Sequence, residues 1–256
     1  MVGRGKSLSV ASSGELNIFS FADCPCSDFL LNSSIYSTRC EKNTSRNGEQ
    51  NSKNHSATQL MAEELEKSIQ ERQTHQKDLF LELRKLYHQA DENDNNNKID
   101  MALLQYDEIR RIIKASPASG GLSAIDAKAA CSMGMIYELE KHDLMKALDN
   151  YFSALEFYSE TVMQINDNLK DDGSKKKQKL IDQLNERICV LLVRIASVRA
   201  KQGRWENCIQ KSEEAQGVLK SILYDAEALK DCEELSKRIE ELLKFSRTNL
   251  MIKDRC

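Results

Sequence analysis

The sequence predicts an all-α protein: antiparallel helical hairpins stacked in a short array, behind a tail without regular structure. Three observations carry this. Only 2 prolines and 10 glycines interrupt 256 residues, and such a scarcity of breakers favours long helices. From about residue 59 onward, apolar side chains recur at intervals of three, four and seven, the period of one helix face. No stretch alternates apolar and polar residues as a half-buried strand does.

The elements follow in order. Residues 1–58 are rich in Ser, Asn, Gly and Thr, and residues 48–56 are almost wholly polar. A segment with so little apolar surface is expected to stay disordered, because burial cannot offset the entropy of ordering it. The apolar patch at residues 19–31 reads as a docking peptide or plain tail, and Met61 as an alternative start that loses nothing folded. Residues 59–256 form the expected helical domain. Leu60, Leu65, Ile69, Leu79, Leu83, Leu86 and Tyr87 mark its first helix, which the polar run at 91–97 should end. Met101, Leu104, Ile109 and Ile112 mark a second. Residues 116–121 are the clearest loop. A third helix is expected over about 123–141 and a fourth over 144–169, with a break at 171–174. The fifth spans 175–202, with Ile181, Leu184, Ile188, Leu191, Leu192 and Ile195 on one stripe, and the sixth about 205–224. Asp225 could cap a seventh carrying Leu229, Cys232, Leu235, Ile239 and Leu242 on one face.

Charge and cysteine usage narrow the function classes. The chain is 30% charged but has a net charge of only −3, without the basic excess that neutralises phosphates, so no nucleic-acid partner is expected. No apolar run approaches the roughly 20 residues needed to cross a bilayer. The basic start at residues 1–6 lacks a following apolar region, which argues against a secretory signal. The 8 cysteines then read as reduced and mostly buried thiols of a cytoplasmic protein. Cys24 and Cys26 lack the two-residue spacer of a redox or zinc pair. The sequons at Asn32, Asn43 and Asn54 read as coincidences of a Ser/Asn-rich tail.

The most informative local pattern is Gln202-Gly203-Arg204-Trp205, with Cys208 and Ala215 behind it. It reads as a helix, a tight turn at Gly203, and a helix returning with small residues on one face. Leu192, Ile195 and Ala196 precede the turn. A similar set recurs as Ala130, Met133, Gly134 and Tyr137, then Ala147, Tyr151 and Ala154, with one residue added in the turn. A looser set is Phe80, Leu83 and Tyr87, then Ala102, Tyr106 and Ile109, across a turn enlarged by about six polar residues. Over roughly residues 76–250 the chain resembles a tetratricopeptide repeat domain. It departs from the family pattern in three ways: Arg199 stands where an aromatic is usual, no unit carries the terminal proline, and the units are unevenly spaced.

The resemblance implies three irregular repeats plus a capping helix, forming a short solenoid that holds a partner peptide or helix in a groove. First helices of the repeats line that groove in the family, so the partner-binding positions it implies are Lys85, His88, Lys128, Glu138, Ser197 and Lys201. The expected role is a non-catalytic scaffold or adaptor with a protein partner and no cofactor. The two-carboxylate clamp of chaperone-binding relatives is not expected, since Leu81, Lys85, Cys131 and Met135 stand at its positions. Trp205 and Tyr151 are expected to pack between helices.

Catalysis is not expected, because His55, His75, His88 and His142 are scattered and no nucleophile, base and orienter gather in any known spacing. A calcium-responsive protein is the alternative. Residues 91–100 are rich in oxygen donors between two helices, as in an EF-hand. The loop, however, lacks both the turn glycine and the closing bidentate glutamate, so no metal ligands are assigned. Lys175, Lys176 and Lys177 open a helix against its own dipole, and we have no physical account of that choice.

Overall fold

The computed structural model describes residues 52–116, 122–168, 175–222 and 229–253. Seven helices run through them: α1 (Ser52–Asn95), α2 (Ile99–Ala115), α3 (Ser123–Leu139), α4 (Leu144–Asn168), α5 (Lys175–Lys201), α6 (Trp205–Ser221) and α7 (Leu229–Lys253). Among the described residues there is no strand, and no helix is long and apolar enough to cross a membrane. The all-α expectation holds. The expectations for residues 1–51, for the loop at 117–121, for the break at 171–174 and for the cap at Asp225 fall outside the described residues.

Each helix packs chiefly against the next in sequence. Beyond these neighbours, α1 also meets α3, and α5 meets α7. The result is a consecutive stack of antiparallel hairpins, α1–α2, α3–α4 and α5–α6, closed by α7.

The three hairpin turns share one backbone solution. Gly203, Asn97 and His142 all adopt left-handed φ angles, of 69°, 57° and 53°. At the first turn, Asn97 N–H donates to Asp94 O (2.9 Å) and Lys98 N–H to Asn93 O (2.8 Å). At the third, Gly203 N–H donates to Ala200 O (2.9 Å) and Arg204 N–H to Arg199 O (2.9 Å). This pair of bonds is the Schellman motif, which satisfies the last carbonyls of a helix. The middle turn is one residue wider, with Asp143 N–H donating to Tyr137 O (2.8 Å).

Two expectations are corrected here. The first hairpin has no enlarged turn, because residues 91–95 continue α1 and only residues 96–98 separate it from α2. Register with the third hairpin puts Ala90 at the place of Ala196, each seven residues before its left-handed residue. The helical region also begins at Ser52 rather than 59.

Beyond each turn the residue types repeat. The N–H groups of Ala102, Ala147 and Cys208 bond to the carbonyls of Lys98, Asp143 and Arg204, and all three side chains are fully buried. Tyr106, Tyr151 and Ser212 follow one turn later, then Ile109, Ala154 and Ala215, all buried. A small residue at the first of these places lets the returning helix approach its partner.

Helix α3 sits between two cores. Leu83, Tyr87, Tyr106, Ile109, Ala129, Met133 and Ile136 belong to the core of α1, α2 and α3. Ala127, Ala130 and Cys131 belong to the larger core that runs through α4, α5, α6 and α7. Twelve of its residues are buried, among them Ala124, Ala127, Ala129, Ala130, Ser132 and Gly134. Burial on both sides needs apolar or small residues all round, so α3 lacks the one-sided stripe of a surface helix.

Gly134 is the closest point of approach. A Cβ there would lie 2.6 Å from Cδ1 and from Cε1 of Tyr151 on α4. Tyr151 is itself buried, and its hydroxyl is held by Glu138, so the ring has nowhere to move. Trp205 is half-buried rather than in the core. It packs edge-on against Phe245 of α7 at 5.5 Å between ring centroids, joining α6 to the closing helix.

The two helical glycines therefore respond oppositely to alanine. Gly134→Ala forces repacking against a pinned ring and should cost about 1–3 kcal/mol. Gly217 on α6 is exposed and has nothing within 4 Å of a Cβ. Gly217→Ala should raise stability by about 0.5–1 kcal/mol through backbone entropy. Thermal melts followed by circular dichroism check both, at about 2–4 °C per kcal/mol for a chain of this size.

Candidate functional site

The six positions expected to line a groove lie on α1, α3 and α5. The structure divides them. Lys85 and His88 are exposed on α1, Ser197 is half-buried on α5, and Lys201 is exposed at the end of α5. Lys128 is 8% exposed and Glu138 3% exposed, so these two do not offer open side chains to a partner. Neighbouring helices pack over α3 and cover both positions.

Glu138 and Lys201 are brought together. Lys201 Nζ donates to Glu138 Oε1 at 2.7 Å, and Tyr151 Oη donates to Glu138 Oε2 at 2.8 Å. Arg194 Nη1 stands 3.8 Å from the same Oε2. One buried carboxylate thus ties α3, α4 and α5 through charge-assisted bonds. Burial, and then the Glu138 charge beside it, push the Tyr151 hydroxyl pKa well above its ordinary value. Sequence reading missed Arg194. Its signal is spacing, since it precedes Lys201 by two helical turns on the same face of α5.

A second polar cluster ties the first two hairpins. Arg110 of α2 donates from Nε to Asp126 Oδ1 (2.9 Å), from Nη1 to Asn150 Oδ1 (2.7 Å) and from Nη2 to Ser153 Oγ (3.0 Å). Asn150 in turn donates to Lys146 O at 2.8 Å. All three guanidinium nitrogens are engaged, and the contacts link three helices, as suits a structural arginine. Tyr87 and Ser132 join α1 to α3 through a buried hydroxyl pair at 3.0 Å. An exposed ion pair, Lys141 to Asp100 at 2.6 Å, links the first two turns.

Residues 91–100 do not form a twelve-residue loop, since α1 runs through their first half. Burial, then Asp91 and Glu140, raise the Asp94 pKa. Among the described residues, no three His, Cys, Asp or Glu side chains are grouped as a metal site would need. The recess along Lys67, Gln70, Glu71, Thr74, His75 and Asp78 is bounded by α1 alone, so it encloses no ligand-sized space.

Cys131, Cys189, Cys208 and Cys232 are buried and form no disulfide. Burial pushes the Cys189 thiol up to about 12 and raises that of Cys208. Cys189 Sγ donates weakly to Ala215 O at 3.5 Å, and Ser246 Oγ donates to Cys208 Sγ at 3.0 Å. These thiols hold helices together and are poor nucleophiles.

Compared with family models, curated proteins and solved structures, the chain matches none.

Two outcomes follow from this geometry. Glu138→Ala leaves Arg194 and the Tyr151 hydroxyl without their buried partner and should cost about 3–5 kcal/mol. Lys201→Ala should cost about 1 kcal/mol or less, because its side chain is 44% exposed and exposed pairs contribute little. Denaturant titration measures both. Maleimide labelling of the native protein should spare Cys131, Cys189, Cys208 and Cys232, and peptide mapping should find them modified only after unfolding.

Proposed function

We propose that the chain is a non-catalytic protein-interaction scaffold. In this reading the hairpin stack is tetratricopeptide-like, and the face of α1, α3 and α5 receives a peptide or helix from a protein partner. The observation that carries it is the threefold recurrence of one hairpin geometry. The left-handed turn residue is followed each time by a small buried residue that begins the returning helix, and the hairpins stack consecutively on shared walls. A fold of this kind builds an extended preformed surface, and a segment that binds it is ordered at low cost to the receptor.

The chemistry of the face supports a partner with carboxylate groups. Glu138 is shared by Arg194 and Lys201, so this corner carries more positive than negative charge, and Lys85 and His88 lie exposed on α1. Lys128 and Glu138 support the surface from beneath and are not contacts themselves. A cytoplasmic setting fits the buried free thiols. No cofactor, nucleic acid or membrane enters this reading.

The test compares proteins captured by the full-length chain with those captured by two variants. One is Lys85→Glu with His88→Glu and Ser197→Arg, on the proposed face. The other is Lys220→Glu, on exposed α6. Partners kept by the control and lost at least about tenfold by the face variant, roughly 1.4 kcal/mol, are the expected result. Equal capture by both variants overturns the reading.

A further inference from the structure

The N-terminal part of α1 buries none of its described side chains. The buried side chains of the helix begin at Phe80 and continue through Leu83, Tyr87 and Ala90, where it meets α2 and α3. At 63–78, every residue whose burial is described is exposed or half-exposed. At 1.5 Å per residue, the part before Phe80 projects about 40 Å. The projecting part is not uniformly polar. Leu65, Ile69, Arg72 and Gln76 follow alternating steps of four and three that run on, without a change of phase, into Leu79, Leu83 and Leu86. The stripe that binds α1 into the core thus continues along the arm, where Leu65 is 62% and Ile69 46% exposed.

We propose that residues 19–31 of the same chain dock on the stripe formed by Leu65, Ile69 and Arg72. Three features of the chain select this occupant. The first is area. Two exposed aliphatic side chains fall far short of the roughly 1,200–2,000 Å² that a stable complex between separate molecules buries. A tethered segment needs much less, because the tether supplies an effective concentration in the millimolar range.

The second feature is reach. Leu65 and Ile69 lie about 20–26 Å along the helix from Ser52. From its Ser- and Asn-rich sequence, a coil the length of residues 32–51 averages about 25 Å between its ends. Effective concentration is greatest when those two lengths agree.

The third feature is charge and composition. Phe19, Phe21, Phe29, Leu30 and Leu31 supply apolar groups, and Asp23 and Asp28 lie among them. Residues 7–38 contain no Lys or Arg, whereas Arg72 sits on the stripe and His75 one turn further on. On the stripe itself Leu65 and Ile69 offer apolar contact and Arg72 a cation for the acidic segment, while Glu63, Glu64, Glu66, Glu71 and Asp78 lie on other faces of the helix.

Hydrogen exchange on the full chain tests this. Amides of residues 58–76 should exchange about tenfold more slowly in the parent than in the F29D/L30D/L31D variant, with α3 to α7 unchanged. The reciprocal variant, L65D/I69D, should leave residues 19–31 more rapidly cleaved by protease. Neither variant touches the core, so circular dichroism should show both folded. Identical arm exchange in parent and F29D/L30D/L31D overturns the proposal. So does protection that rises with protein concentration, which would show a second copy covering the arm.

Discussion

The contact between Gly134 and the ring of Tyr151 sets the spacing on which the stack depends. With hydrogen in place of a methyl group, α3 and α4 approach closely enough for Tyr151 to fill the space between them and reach Glu138. Close approach on that side leaves the rest of α3 to meet α1, α2 and α5. A helix walled in on both faces has room for few large side chains, and α3 accordingly uses Ala, Ser, Cys and Gly where neighbours crowd it. Larger residues on the flanking helices then fill the gaps. Packing at interior density makes this complementarity stringent.

The same confinement explains the polar interior. A stack whose helices contact mainly their sequence neighbours needs something to fix how each hairpin sits on the last. Apolar burial is non-directional, whereas the carboxylate of Glu138 and the guanidinium of Arg110 demand specific partners at specific angles. Each bridges three helices. Neither cluster resembles a reaction centre. Glu138 is held by two cations and a phenol hydroxyl, and each nitrogen of the Arg110 guanidinium donates to an oxygen.

Much of the fold was legible in the sequence, and the exceptions have identifiable causes. Helix starts at Ser123, Leu144, Lys175 and Trp205 agree with the apolar periodicity, because burial on one face imposes that period directly. Gly203 was readable as a turn, since only glycine adopts its backbone without cost. Asn97 and His142 play the same part but carry no comparable mark. The run at 91–95 looked like a loop because Asp and Asn are poor helix formers, yet α1 persists until the Schellman bonds close it. The burial of Lys128 and Glu138 was not legible, since only the neighbouring helices decide that they are covered. Arg110 was invisible for the same reason, since its partners lie on other helices, and Arg194 offered only its spacing from Lys201.

Trp205 is the one indole in the chain, and it sits at the joint between the last hairpin and the closing helix, against Phe245. Its emission therefore reports on a single seam. In a linear array of nearest-neighbour contacts, ends can detach before the middle. A change in indole fluorescence that precedes the loss of total helicity would mark peeling of α7. Coincident changes would mark a stack that melts as one cooperative unit.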